Sequence, residues 1–350
     1  MRRVSLNLVF GITALSLLAS AFFSLLLGPV SLPVAEILAL IFPFTDNSLV
    51  VEQTRLIVEQ IRLPRMLLSL LVGAILGLCG AAMQGLFRNP LADPSLIGIT
   101  AGAVLGASLV IVLLNGMAVS VLAWRVSLVS LGAFVGGLVV SALVYSLAYG
   151  QSNRNAGAPI SVATMLLAGI AITALAASVS GMLEYIADSR ALRQMSLWQM
   201  GGLDNANMTS VFIAALIFAL VASLISSKAK ALNALLLGES EARYMGVEVE
   251  ATTKQLVILV AIGMGVAVAL SGAIAFIGLV VPHIFRLMVG PDHRFLLPLS
   301  AMGGAALLCA ADTVARVLLA PNEIPVGIVT SLIGAPFFIY ILKSQTSFRW

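Results

Sequence analysis

Residues 66–86 have the sequence MLLSLLVGAILGLCGAAMQGL, which contains no charged side chain. A helix of about 20 apolar residues is long enough to cross the hydrocarbon core of a bilayer. The rest of the chain has the same character, since its 350 residues are 60% hydrophobic and 10% charged, with a mean hydropathy of +1.09. Soluble domains carry about 25% charged residues, so the sequence predicts an integral membrane protein.

Ten apolar segments are predicted to cross the membrane as helices. A transmembrane β-barrel is the alternative, but it needs alternating segments of about ten residues, and these runs are continuous. The first run begins like a signal peptide; because it is long and has no small-residue cleavage site before Pro29, we interpret it as a retained helix. The predicted fold is all-α and polytopic, a single transmembrane domain over residues 1–350. The segments lie near 6–28, 66–86, 96–114, 126–149, 163–183, 210–226, 255–272, 274–289, 296–319 and 326–342.

The positive charges predict the orientation in the membrane. An even number of spans places both termini on one side, and cytoplasmic loops are enriched in Lys and Arg. With the N-terminus in the cytoplasm, twelve of the 19 Lys and Arg residues, including all four lysines, fall in cytoplasmic segments. We therefore expect both termini in the cytoplasm. The outer side then holds Arg55, Arg62, Arg65, Arg125, Arg190, Arg193 and Arg316.

The chain lacks the motifs of an enzyme. It has no Gly-x4-Gly-Lys-Ser/Thr loop for nucleotide phosphates and no His-Glu-x-x-His metal site, and its two histidines are His283 and His293. Ion-driven transporters usually hold ionisable groups at mid-membrane, whereas all fifteen acidic residues here lie in loops or at span ends. An energy source on another chain is therefore favoured. Cys79 and Cys309 lie in apolar runs and are interpreted as buried hydrophobes, not metal ligands.

The longest polar interruption lies between Lys228 and Lys254. Its apolar residues recur at helical spacing among charges, which predicts a short amphipathic helix on the cytoplasmic side. Such a helix suits docking into a groove of a partner, or lies as a solvated helix on the membrane surface; the residues alone do not favour either interpretation.

Eight motifs in one order along the chain resemble FecCD/BtuC-like permeases of type II ABC importers, which take up ferric siderophores, haem and cobalamin. They cover about residues 60–340, so that only the first helix carries none. The motifs are IRLPR at 61–65, GAAMQGLFRNPLADP at 80–94, LRQMSLWQMGG at 192–202, GESEARYMG at 238–246, GAIAFIGLVVPHIFR at 272–286, DHR at 292–294, ADTVAR at 311–316 and EIPVGIVT at 323–330.

The resemblance implies a transport subunit of the bacterial inner membrane rather than an enzyme. It implies a homodimer that works with two ATP-binding cassette ATPases and a periplasmic substrate-binding protein, surrounded by lipid, with no nucleic acid. No cofactor or metal is expected on this chain, because ATP and Mg²⁺ belong to the ATPase. The polar segment at about 234–247 becomes the coupling helix that docks on the ATPase, through Gly238, Glu239, Glu241, Ala242 and Gly246.

Two further sites are implied by the resemblance. Arg62, Arg65 and Arg316 match positions that pair with glutamates of the binding protein, where charge pairs would set orientation; lipid-headgroup anchoring is the alternative. The cytoplasmic gate is expected at Asn89 and Leu91 with Val162 and Ala163, the last two departing from the family's hydroxyl residues.

At the outer side, the resemblance implies a short helix at about 196–202 after the fifth span. Met195, Trp198 and Met200 are then expected at the outer mouth, where they would contact a flat ligand, although core packing and an interfacial belt are the plainer interpretations. His283 is assigned a structural role. For the substrate, haem is favoured over a ferric siderophore. Cobalamin, an ion-coupled secondary transporter and a non-transporting receptor or scaffold are the alternatives.

Overall fold

The computed structural model describes residues 5–41, 51–114, 122–154 and 162–345. Within these ranges the protein is helical and contains no β-strand. The α-helices are α1 (Leu6–Leu26), α2 (Val34–Ile41), α3 (Glu52–Leu56), α4 (Leu63–Leu86), α5 (Ile99–Leu113), α6 (Leu122–Arg154), α7 (Val162–Ile186), α8 (Ser189–Gln199), α9 (Met208–Ser227), α10 (Ala229–Leu235), α11 (Glu239–Tyr244), α12 (Val249–Ser271), α13 (Ile277–Val289), α14 (His293–Val317) and α15 (Val326–Gln345).

The predicted all-α, polytopic fold is confirmed, and each of the ten predicted spans falls on a helix. Seven helices are long and apolar enough to cross a membrane, namely α1, α4 with its upstream extension, α6, α7, α9, α12 and α14. The other three, α5, α13 and α15, are apolar but shorter. Helix α4 continues upstream through a π-helical turn, Ile57–Arg62, into α3, so its helical path begins well before the predicted residue 66.

Helix α4 lies at the centre of the bundle, and glycines let neighbouring helices approach it. A Cβ added at Gly73, Gly77 or Gly80 would overlap the backbone carbonyl of Gly304, Ser300 or Gly278. Small residues at crossings allow close backbone packing in lipid, where the hydrophobic effect does not drive association. Most of α4, α12 and α14 is buried, whereas α1, α7 and α9 present mainly exposed apolar surface. Helices α4, α12 and α14 thus form the packed centre of the bundle, and α1, α7 and α9 lie around it.

Two short helices differ from their predicted bounds. The segment expected as one helix at about 234–247 forms α10 and α11, because Gly238 at φ +127° interrupts the helical path between them. The outer helix expected at about 196–202 is α8, which begins earlier because the Asp188 side chain accepts a hydrogen bond from the Ala191 amide and caps it. Gly201 at φ +72° follows its end.

Candidate functional site: outer mouth, pathway and cytoplasmic docking segment

The arginines expected to form an exposed docking rim are instead buried. Arg62, Arg65 and Arg316 are 3%, 7% and 2% exposed. The guanidinium group of Arg65 binds Asp312 through Nη2 at 2.9 Å, and through Nη1 it binds Glu323 at 2.6 Å. Asp312 also pairs with Arg316 at 3.0 Å. A buried and paired guanidinium group offers little free charge to a partner. Docking of a binding protein through these three side chains stays a prediction.

The remaining donors of this arginine network hold the outer end of α1. Arg62 donates to the carbonyls of Leu25 and Leu26 at 2.7 and 2.8 Å, and to that of Val30 at 2.6 Å. Arg316 donates to the hydroxyl group of Ser24 at 2.8 Å. The last carbonyls of a helix have no partner within the helix, so these contacts satisfy groups that lipid could not. The network joins α1, α4, α14 and the loop before α15.

The outer mouth is formed by residues 198–202, the non-helical segment 272–276 and the start of α15. Glycines hold these three parts together, since a Cβ at Gly201, Gly272 or Gly327 would crowd the carbonyl of Ala273, Trp198 or Met200. Trp198 is half-buried and Met200 is 43% exposed, and their role at the mouth stays a prediction. Met195 is only 1% exposed and packs in the core, because it lies on the inner face of α8 with Ala191. This position agrees with the core-packing interpretation of Met195, and a contact of Met195 with the cargo stays a prediction.

A cavity of about 330 Å³ opens beside α8, between the outer parts of α6 and α12. Arg190 and Arg193 line it together with Gln194, Trp198 and Asp204. Both arginines are exposed, and neither has an ion pair within the described part of the chain. The sequence placed these two arginines on the outer side, in the run 190–202 that favours haem, but assigned neither of them a contact of its own. No local signal separated them from the buried Arg65, which likewise has no acidic residue three or four positions away.

A second cavity of about 310 Å³ lies where two interruptions of helical structure meet. Asp93 and Ser95 line it from the segment between α4 and α5, and Thr100 lines it from the start of α5. Ala273 and Phe276 line it from segment 272–276. Helix α13 has 13 residues, about 20 Å, so a span built on it needs non-helical backbone at membrane depth. Such backbone is tolerated where it lines a cavity or is buried in protein.

Two of the four residues expected at the cytoplasmic gate, Asn89 and Leu91, lie just before Asp93 of this second cavity in sequence. Asn89 is exposed, and its Oδ1 accepts a hydrogen bond from the Leu91 amide at 2.9 Å. Leu91 is half-buried. Val162 and Ala163 are the first residues of α7, and their side chains lie outside the described residues. A Cβ at Gly169 of α7 would overlap the Leu96 carbonyl, so α7 packs directly on the segment that follows Leu91. A gate formed by these four residues stays a prediction.

The segment α10–α11, which the charge distribution predicts on the cytoplasmic side, presents exposed apolar and acidic side chains. Gly238 and Gly246 have φ of +127° and +82°, a region that favours glycine. Ala242 lies on the buried face of α11, whereas Glu241 of the same helix is exposed. Glu239 pairs with Arg88 at 3.2 Å. Tyr244 is 92% exposed, and Leu237 and Met245 also project without cover.

Polar contacts connect this segment to the membrane helices. The Asn233 amide donates to Asp292 at 2.7 Å, and its oxygen accepts from the backbone amide of His293 at 2.8 Å. Hydrogen bonds from Arg294, and then from Asn233, hold the pKa of the Asp292 carboxyl well below its usual range. Inside the bundle, the Gln84 amide donates to the Leu279 carbonyl at 3.1 Å and accepts from Arg286 at 3.2 Å.

Comparison with known proteins identifies the family to which this helical bundle belongs. The FecCD transport family matches residues 16–344. The chain belongs to the FecCD transport family. It is thus a multi-pass membrane permease of the type II ABC importers, a family that works with ATPase and substrate-binding partners.

Two relatives and one solved structure show the range of the family. The hemin transport system permease protein HmuU of Yersinia pestis is 47% identical over 290 residues, which cover 83% of this chain and 84% of the relative. The cobalamin import system permease protein BtuC of Halobacterium salinarum is 41% identical, over 84% of this chain and 75% of the relative. An inward-facing metal-chelate type ABC transporter superposes with a TM-score of 0.81 at 31% identity, over 97% of this chain and 99% of that one.

Proposed function

We propose that this chain is the permease of an ATP-driven importer for an anionic iron chelate, with haem as its substrate, in the bacterial inner membrane. The observation that carries the substrate is the cavity of about 330 Å³ beside α8, where Arg190 and Arg193 have no ion pair within the described residues. Haem is flat and apolar and carries two carboxylates. The two guanidinium groups of Arg190 and Arg193 can bind its carboxylates, and the indole ring of Trp198 can pack against its apolar face.

Cobalamin is the second candidate, because a cobalamin permease is among the relatives. Its corrin side chains are amides, which gain less from two unpaired arginines than carboxylates do. The higher identity to the hemin permease points the same way. A ferric siderophore with free carboxylates would also suit the arginines, so the test compares all three ligand classes.

For the mechanism, we propose alternating access driven by ATP binding and hydrolysis on partner chains. The exposed apolar side chains of Leu237, Tyr244 and Met245 make α10–α11 the docking segment for an ATPase. No cofactor or metal on this chain takes part in the proposal, and the chain performs no chemistry on its cargo. Both termini are proposed to lie in the cytoplasm.

We further propose that a second copy covers α7 and α15 and that the pathway runs between the two copies. Both helices carry large exposed apolar side chains, such as Leu167 and Ile170 on α7 and Leu332 on α15. With the arginine network buried, a periplasmic binding protein would dock on the exposed outer surface that includes α8.

The decisive experiment is uptake into proteoliposomes that contain this chain, its ATPase and its binding protein. Labelled haemin, a ferric siderophore and cyanocobalamin are compared with ATP and with a non-hydrolysable analogue. We expect hydrolysis-dependent uptake of haemin, loss of uptake in the double variant Glu239→Ala/Glu241→Ala, and about tenfold less haemin uptake in Arg190→Gln/Arg193→Gln.

The control is Arg55→Gln, which removes another exposed outer arginine that is already paired with Glu59 at 3.4 Å. It should leave haemin uptake unchanged. Uptake of cyanocobalamin alone would overturn the haem assignment. Uptake that follows an imposed proton gradient without ATP would overturn the proposed mechanism.

A further inference from the structure

One side chain, Asn233 of α10, joins the cytoplasmic segment to the turn between α13 and α14. Its Nδ2 donates to Asp292 Oδ1 at 2.7 Å, and its Oδ1 accepts from the His293 amide at 2.8 Å. The same Oδ1 lies 2.8 Å from Nδ1 of the His293 ring. An amide oxygen can only accept, so Nδ1 carries the proton. Asn233 thus makes three directional contacts with two consecutive residues.

The far side of this contact is rigid. Asp292 also accepts from the Arg294 amide at 3.0 Å, which caps the start of α14. His293 is completely buried, and its Nε2 lies against Gly85 of α4, where a Cβ would overlap it. Close-packed interiors pass displacements on rather than absorbing them. A shift of α10 would therefore move the α13–α14 turn and press on the end of α4.

Helix α13 connects that turn to the outer mouth. Near its centre, Pro282 has no amide hydrogen, so the Gly278 carbonyl loses its helical partner. Gln84 of α4 lies there, donating to the Leu279 carbonyl at 3.1 Å and approaching that of Gly278 at 3.5 Å. At its outer end, Phe276 takes φ +70° and packs on Gly334 of α15. A single short helix thus spans the distance between the cytoplasmic contact and the mouth.

We propose that Asn233 is a positioning residue that couples α10 to the α13–α14 turn, so that movement of the cytoplasmic segment is carried through α13 to the outer mouth. The inference rests on the proposed function, because the movement is supplied by an ATPase docked on α10–α11. Two further ion pairs of the segment, Arg88 with Glu239 and Arg243 with Glu250, are exposed, so each contributes less to a rigid connection.

The test measures whether the mouth still responds to nucleotide when Asn233 is changed. Met200 is exposed at the mouth, and both native cysteines are buried, so Met200→Cys gives a single reactive thiol. Its labelling rate with a membrane-impermeant thiol reagent is measured in the assembled complex, with and without a non-hydrolysable ATP analogue. Hydrolysis of ATP is measured in parallel. This readout needs no knowledge of the cargo.

In the parent carrying Met200→Cys, we expect the analogue to change the labelling rate at least about fivefold. Adding Asn233→Ala should remove that response while ATP hydrolysis and co-purification of the ATPase persist. The exchange Asn233→Asp/Asp292→Asn should restore it in part, because the amide placed at 292 can donate to the carboxylate placed at 233, which still accepts from His293. Recovery is partial because the Arg294 amide loses the oxygen that accepts from it. Arg294→Gln is the matched control, since it removes another Asp292 contact without touching α10, and it should keep the response.

An unchanged response in Asn233→Ala would overturn the inference. It would also be overturned if the nucleotide analogue did not change the labelling rate of the parent carrying Met200→Cys. If Asn233→Ala loses the ATPase altogether, the exchange variant decides: recovery of both assembly and response supports the link, and recovery of assembly without response refutes it. Failure of the proposed function is seen separately, as a parent that accumulates none of the three chelates.

Discussion

The outer end of α4 and the cytoplasmic segment α10–α11 both carry charges at the edge of the membrane, but they use them in opposite ways. At the outer end, Arg65, Asp312 and Arg316 are buried and paired with one another. On the cytoplasmic segment, Glu239 and Glu241 lie at the surface beside uncovered apolar side chains. Charges that satisfy each other stabilise the fold, whereas charges beside exposed apolar groups mark a surface that needs a partner.

The largest expected effect is that of Asp312→Asn, which leaves Arg65 and Arg316 buried with reduced pairing. Breaking a buried ion pair typically costs about 3–5 kcal/mol of unfolding free energy. We expect a loss of that size in the detergent-solubilised protein, measured by denaturant unfolding. The control is Asp204→Asn at the exposed outer cavity, which should change stability by less than about 0.5 kcal/mol. Equal stability of the two variants would show that the outer network does not hold the fold.

A smaller loss is expected when the central crossing of α4 is disturbed. In Gly77→Ala the new methyl group would overlap the Ser300 carbonyl, and overpacking costs about 1–3 kcal/mol. Gly11→Ala is the matched control, because no atom lies within 4 Å of a Cβ at that position of α1. The two midpoints of thermal unfolding should differ, with Gly77→Ala lower. Identical midpoints would contradict the close approach of α4 and α14.

On the cytoplasmic segment, Tyr244→Ser should leave the stability of the chain unchanged and weaken its association with the ATPase. Tyr244 is almost fully exposed, so its loss costs the isolated chain little. A central aromatic residue of an interface is worth more than about 1 kcal/mol, which corresponds to about tenfold weaker association with the ATPase. The measurement is titration of the ATPase onto the solubilised permease. Tyr185→Ser, an equally exposed tyrosine at the outer end of α7, should bind the ATPase as the parent does.

The smallest effect belongs to Glu239→Gln, which removes the exposed pair with Arg88. Exposed ion pairs contribute about 0.2–1 kcal/mol and are screened by salt. We expect a small drop in stability at low salt that disappears at high salt. A drop that matches the effect of Asp312→Asn would remove the distinction between the two regions.

The sequence predicted most of the fold because the bilayer imposes its own rule. Runs such as residues 66–86 have to be helical to satisfy their backbone in lipid, and all ten predicted spans lie on helices. The glycines Gly238 and Gly246 likewise stand at positive φ, where their residue type is needed. Motif order over residues 60–340 also placed the chain in its family, which the match over residues 16–344 confirms.

The site was predicted less completely, because its contacts join residues far apart in the chain. Arg65 and Asp312 are separated by 247 positions, and Asn233 and Asp292 by 59. Nothing in the local pattern distinguishes Arg65, which is buried, from Arg190, which is exposed, since both occur at the outer end of an apolar segment. Met195 and Met200 likewise lie in one motif, but the turn of α8 buries one of them and exposes the other.

The amino-acid sequence by itself therefore determined an all-α, polytopic membrane protein, because hydrophobic length acts through the solvent and needs no knowledge of neighbours. Its motifs, by resemblance, also identified the permease family. Only the tertiary structure decided which charges are free. Burial depends on which helices pack together, and the packing of α4 against α14 enclosed Arg65 with Asp312 while leaving Arg190 and Arg193 open at a cavity. Free guanidinium groups bind ligands or partners, and enclosed ones stabilise the chain.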